Sequence, residues 1–186
     1  MTGDDTRSAL VAAGVALLEE TGSPDVGLRE IARRAGVSHG APRRYFPTHR
    51  SLLAAIAREG LRDLGEELAA AVHTSDDVLT AVAGTYVDFA RRRPAMFTLI
   101  FRHDLLEGSG AELRQTSRPL FEWLVTLVAQ ADSAADAERG AAALWVGIHG
   151  IAVLSSTGAL GVAAVGVDEN ELIDQVVRNS LRSATR

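Results

Sequence analysis

The sequence predicts an all-α protein: Ala and Leu dominate an apolar fraction of 47%, aromatics are only 5%, and Pro occurs five times in 186 residues. Apolar residues recur at helical spacing, and no strand alternation, internal repeat or low-complexity tract competes with that pattern. The expected architecture is an N-terminal three-helix helix-turn-helix domain over residues 1–50. A helical bundle follows over 51–186, with a fourth helix at about 48–72 joining the two and about nine helices in all.

In the first helix, residues 6–20, Leu10, Ala13, Leu17 and Leu18 form one stripe, and Gly22, Ser23 and Pro24 stop it. The second runs over 28–35, with Leu28, Ile31, Ala32 and Ala35 on one face and Arg29, Arg33 and Arg34 elsewhere. Gly36 ends it because glycine takes the left-handed conformation without strain. Val37 lies in the turn, and Ser38 is expected to cap a short third helix over about 38–45. After Pro47, the fourth helix carries Leu52, Ile56, Leu61, Leu64 and Leu68. Ser75 and Asp76 start a fifth that reaches Arg93, Pro94 opens a sixth over about 95–105, and 106–110 is a glycine-containing break. Further helices are expected at about 111–131, 135–160 and 168–183, the last two joined by a loop near 158–166.

With no Cys there is no disulfide framework, thiolate metal site or cysteine nucleophile. The start MTGDDTRSAL lacks the basic region and apolar run of a signal peptide, and the apolar run 145–154 is shorter than the roughly 20 residues of a membrane span. A soluble cytoplasmic protein with no membrane role is the expectation. The net charge of −5 is unevenly spread: residues 31–58 hold six Arg and no acid, whereas 63–186 hold ten Arg against seventeen acids. Such a basic window can lie against phosphate while the acidic remainder is repelled by it.

That window contains two short helices joined by a glycine turn, the plan in which the second helix enters the major groove and the first braces it. The brace is LREIARRA, the turn GVS and the reader SHGAPRRYF. Gly40 and Ala41 let the reader approach the bases, Arg43 and Arg44 reach guanine edges or phosphates, and Tyr45 touches a phosphate or a thymine methyl. The same pattern also suits two packed helices with solvated arginines.

The stretch 9–53 closely resembles the DNA-binding domain of TetR-type repressors. It carries Leu17-Leu18, Gly22, Ile31-Ala32, Ala35-Gly36-Val37-Ser38, Tyr45-Phe46 and Leu52-Leu53 where the family pattern has its leader helix, Ile-Ala, Ala-Gly-Val-Ser, Tyr-Phe and Leu-Leu. Pro94-Ala95-Met96-Phe97, Leu144-Trp145 and His149-Gly150 resemble the subgroup whose sensor domain is named for Trp, His and Gly (WHG). The resemblance implies that Ser38, Gly40, Ala41, Arg43, Arg44 and Tyr45 face DNA and that the start of the fourth helix touches phosphate. Arg29, His39, Thr48 and His49 complete the candidate contacts. The family usually has Lys at the position of His49, and neutral His donates a single hydrogen bond. Gly27 stands where many relatives have a phosphate-bonding Thr, and Pro42 fits the reader only in its first turn.

The resemblance further implies a homodimer on a near-palindromic double-stranded operator, with a small apolar or aromatic effector releasing a repressor. Tyr86, Phe89, Phe97, Phe101, Trp123, Trp145 and His149 are the candidate ligand-lining residues, with His103 another polar candidate; the same side chains would equally serve as core. Gly147 and Gly150 suit close helix approach at a dimer seam, and the run Arg91-Arg92-Arg93 reads as a solvated helix end. His at 39, 49, 73, 103 and 149 show no ligand spacing, and no phosphate loop, nucleophile elbow or carboxylate pair occurs. No metal, cofactor or catalytic residue is expected. The competing reading is a helical small-molecule-binding or protein-interaction module without a DNA role.

Overall fold

The computed structural model describes residues 3–102, 113–131 and 136–182; His103 and the break at 106–110 lie outside the described residues. Among the described residues there are ten helices and no strand: α1 (Gly3–Thr21), α2 (Leu28–Arg34), α3 (Pro42–Tyr45), α4 (His49–Ala71), α5 (Val78–Arg92), α6 (Pro94–Phe101), α7 (Leu113–Ala131), α8 (Ala137–Ser156), α9 (Ala159–Ala163) and α10 (Glu169–Arg182). The helix beyond the expected nine is α9, a short turn in the segment read as a loop. It lies between two left-handed glycines, Gly158 (φ 72°) and Gly166 (φ 80°).

The chain divides into two compact units: Met1–Arg62 with Arg93–Thr116, and Asp63–Arg92 with Ser117–Arg186. The division falls inside α4, and α6 groups with the N-terminal helices. In the first unit Leu10, Leu18, Ile31, Leu52, Ile56 and Met96 are fully enclosed. Gly14 brings α1 against α4, since a Cβ there would collide with the Ile56 side chain. Gly60 does the same between α4 and Met96 of α6. Arg93 Nε donates to Glu19 on α1 at 2.7 Å, so the start of α6 is tied to the first helix by an ion pair.

The second unit packs α5, α8 and α10 together around Val82, Phe89, Leu144, Ile148, Ile173 and Val177. Gly147 faces α10, where an added Cβ would strike Val176 Cγ1. The close approach that glycine permits here is therefore within one chain. Gly150, one turn on, is exposed with open space where its side chain would be. Gly147→Ala should lower stability by about 1–3 kcal/mol, because β-branched Val176 has little freedom to move aside. Thermal melting checks this, and Val176→Ala added to the glycine variant should recover most of the loss.

Candidate nucleic-acid interface

Why α2 ends where it does follows from its backbone hydrogen bonds. Gly36 N donates to Arg33 O at 3.2 Å and Val37 N to Ala32 O at 3.0 Å, with Gly36 at φ 68°. This pair of bonds closes a Schellman cap and turns the chain sharply. Ile31 and Ala32 stay buried under the turn, while Val37 is half-buried.

The third helix is shorter than expected. It starts at Pro42, which takes the first helical position, where its missing N–H would have had no partner in any case. Ser38 is thus not its cap: Ala41 occupies the N-cap, and Ser38 contributes only its carbonyl, accepting from Ala41 N at 2.9 Å. His39, Gly40 and Ala41 form the turn ahead of the helix instead of its first turn. Phe46 N bonds to Pro42 O at 2.8 Å, and the buried Phe46 side chain anchors the helix end. Pro42 is itself buried, so the exposed side of α3 is left to Arg43 and Arg44.

Electrostatic partners separate the arginines of the basic window. Arg33 pairs with Glu30 in α2 (2.5 Å) and Arg34 pairs with Glu20 of α1. Hydrogen bonding by these guanidinium groups holds the carboxyls of Glu30 and Glu20 below the usual carboxylate range. Arg29, Arg43 and Arg44 have no carboxylate partner among the described residues. All three are exposed. These cations are therefore available to an external anion without first breaking an ion pair.

Thr48 precedes α4 and caps it reciprocally with Ser51. Ser51 N donates to Thr48 Oγ1 at 3.0 Å, and Thr48 N donates to Ser51 Oγ at 3.1 Å. Among the described residues the Thr48 hydroxyl donates to no acceptor, and it lies at the positive end of a 23-residue helix. His49 is differently engaged: its Nε2 donates to Val26 O at 2.7 Å. His49 thereby braces α4 against the segment before α2, with that ring N–H already committed.

The candidate effector residues are divided between the units. Phe97 and Phe101 meet at a tilted angle of 58° in α6 of the first unit, with ring centroids 4.9 Å apart. Tyr86, Phe89, Trp123, Trp145 and His149 lie in the second. There the buried Tyr86 hydroxyl sits 2.8 Å from His149 Nδ1, and the Trp145 and His149 ring centroids are 6.1 Å apart. Burial raises the Tyr86 pKa and lowers that of His149, which keeps both groups neutral. Phe121 meets Trp145 edge-on at 6.2 Å. A cavity of about 400 Å³ lies elsewhere in this unit, lined by Val72, Leu79, Leu127 and Val177 with Asp76, Asp174 and Arg178, and by none of the candidate residues.

Arg91, Arg92 and Arg93 are taken up by the protein's own acids: Arg91 by Asp88 and Glu169, Arg92 by Glu67 and Arg93 by Glu19. No helix among the described residues is long and apolar enough to cross a membrane.

Residues 10–56 match the family model of bacterial regulatory proteins of the tetR family, and 79–179 match that of the tetracyclin repressor-like C-terminal domain. The chain belongs to the tetR family. The HTH-type transcriptional regulator BetI of Brucella canis is 30% identical over 160 residues, covering 82% of this chain and 81% of the relative. A protein of unknown function from Rhodococcus sp. RHA1 superposes with a TM-score of 0.78 at 29% identity, over 97% of this chain and 96% of that one. The multidrug binding protein EbrR, solved with imidazole, shares the fold at a TM-score of 0.63 and 21% identity, over 92% and 93% of the two chains. This tetR-family chain is accordingly a ligand-responsive DNA-binding transcriptional regulator, in a family of regulators and not of enzymes.

Proposed function

We propose that this tetR-family regulator is a repressor that binds a near-palindromic operator as a homodimer and is released by a small apolar or aromatic molecule, acting in the cytoplasm. The observation that carries the DNA-reading assignment is the exposure of Arg43 and Arg44, without carboxylate partners among the described residues, on a short helix set by the Gly36 turn. Ser38, His39, Gly40, Ala41 and Tyr45 flank these cations and complete the surface presented to the groove. Arg29 and Thr48 supply phosphate contacts from the starts of α2 and α4.

The dimer seam is assigned to α8 and α10 of each subunit. Val146, Val153 and Leu154 form an exposed apolar strip on α8, with Gly150 among them. Large side chains outside a core commonly mark a partner surface. Two readers fixed by that seam would sit about 34–36 Å apart, one turn of the duplex.

The sensor is placed in the second unit, in the subgroup named for Trp, His and Gly, around Tyr86, Trp145 and His149. The rings around Tyr86, Trp145 and His149 suit an effector with an aromatic or apolar body. The fold neighbour EbrR is by name a multidrug binding protein, which is consistent with a small-molecule role for this architecture.

Arg43→Ala and Arg44→Ala should each weaken operator binding, by about 1–3 kcal/mol where the side chain reads a base, while Arg33→Ala, whose charge is already paired, should change it little. Titration of a footprinted operator measures this; full affinity in both α3 variants would refute the reader assignment. Gly150→Leu should break the dimer in analytical ultracentrifugation yet leave the subunit folded, and a fully dimeric variant would move the seam off this face. An effector that loosens DNA binding must bind the operator complex more weakly by the same factor. Trp145→Ala should shrink that factor without altering ligand-free DNA affinity, and an undiminished factor would place the sensor elsewhere.

A further inference from the structure

One cation of the first unit lies outside the basic window and has an unusual support. Arg7, exposed on α1, holds its guanidinium 5.1 Å from the centroid of the Phe46 ring. Phe46 is the residue that ends α3, directly after Tyr45 and the arginine pair. The ring is buried, so Arg7 covers its accessible side and is fixed beside the end of the reader helix. A guanidinium over an aromatic face is attracted by the ring quadrupole but keeps its full charge and its N–H groups along the edge.

Arg7 also shares the electrostatic condition of Arg43 and Arg44. No carboxylate among the described residues pairs with it, and Asp4 and Asp5, a turn earlier in α1, are not its partners. In this chain most other arginines near an acid are engaged: Arg33, Arg34, Arg62, Arg91, Arg92 and Arg93 all make ion pairs. An unpaired cation held in one place by an aromatic ring is pre-positioned for an anion, because its side-chain entropy is already reduced before binding.

We propose that Arg7 is a phosphate contact of the DNA interface, stacked on Phe46 so that the basic surface of α3 extends onto the first helix. The contact serves affinity and register, with no base to read. It rests on the reading of α3 as the groove-facing helix.

Phosphate contacts are independent of sequence and appear in the salt dependence of binding, about 0.9 units of log–log slope per phosphate neutralised. The test uses the full chain and a mixed-sequence duplex of about 30 base pairs, with affinity followed across a salt series. Arg7→Gln, melting as the wild type, should reduce the slope by about 0.9 per subunit, about 1.8 for the dimer, and weaken binding to operator and mixed duplex by the same factor. Arg7→Lys, which keeps the charge, should restore the wild-type slope. An unchanged slope in Arg7→Gln would overturn the proposal. So would an Arg7→Lys variant as impaired as Arg7→Gln, since Arg7 would then act only as packing for Phe46. Arg43→Ala in the same titration separates the two claims: if it too leaves binding and slope untouched, the reader assignment fails and Arg7 falls with it.

Discussion

A chain of net charge −5 can grip a polyanion only where some of its own cations are kept away from its own carboxylates. An arginine already bound to Glu or Asp would have to surrender that partner before meeting a phosphate, and the exchange returns little. The distribution of ion pairs in the first unit obeys this constraint. Arg33 and Arg34 lie on the exposed side of α2 within reach of Glu30 and Glu20, while Arg43 and Arg44 of α3 have no carboxylate partner among the described residues. The backbone enforces that separation. Gly36 turns the chain out of α2, Pro42 sets the first turn of α3, and Phe46 pins its end in the core.

Much of this was legible in the sequence because it depends on local chemistry. Gly36 as a helix stop, the helical stripes of α1 and α4, and an acid-free window all follow from spacing and residue type. The start of α3 did not follow. Ser38 has the propensity of a cap, but propensity is a weak guide beside a proline whose ring fixes its own φ and suits the first helical position. Giving Pro42 precedence over Ser38 would have placed the helix correctly. Arg33 and Arg43 look alike as sequence; the difference is a carboxylate three residues earlier in one case and none in the other. Glu20, which neutralises Arg34, is on a different helix, and such partners emerge only when α1 and α2 are packed.

Glycines show the same limit. Gly147 and Gly150 are near neighbours on α8 and share an expected role in close approach, yet one meets Val176 inside its own subunit and the other opens to solvent. Three residues rotate the chain most of one helical turn, so the two positions lie near each other around the axis without coinciding. Which of them the core uses is decided by where α10 lies, a tertiary fact. Phe97 and Phe101 are a parallel case: their aromatic character suggested a pocket, and the structure groups them with the N-terminal helices instead.

The second unit joins two requirements on one helix. The inner face of α8 carries Leu144, Ile148, Ile151 and Ala152 into the core, and its outer face carries the apolar strip with Val146, Val153 and Leu154. Trp145 and His149 lie at the edge between these faces, with their ring centroids 6.1 Å apart, and His149 is hydrogen-bonded to the buried hydroxyl of Tyr86. Any group that takes the place of His149 must supply a hydrogen-bond partner of its own or the Tyr86 hydroxyl loses that bond in a low-dielectric setting. Rearrangement of that trio moves side chains one turn from the strip assigned to the partner subunit. On the proposed reading, effector chemistry and dimer geometry are therefore coupled through a single helix, and no long pathway is needed between them.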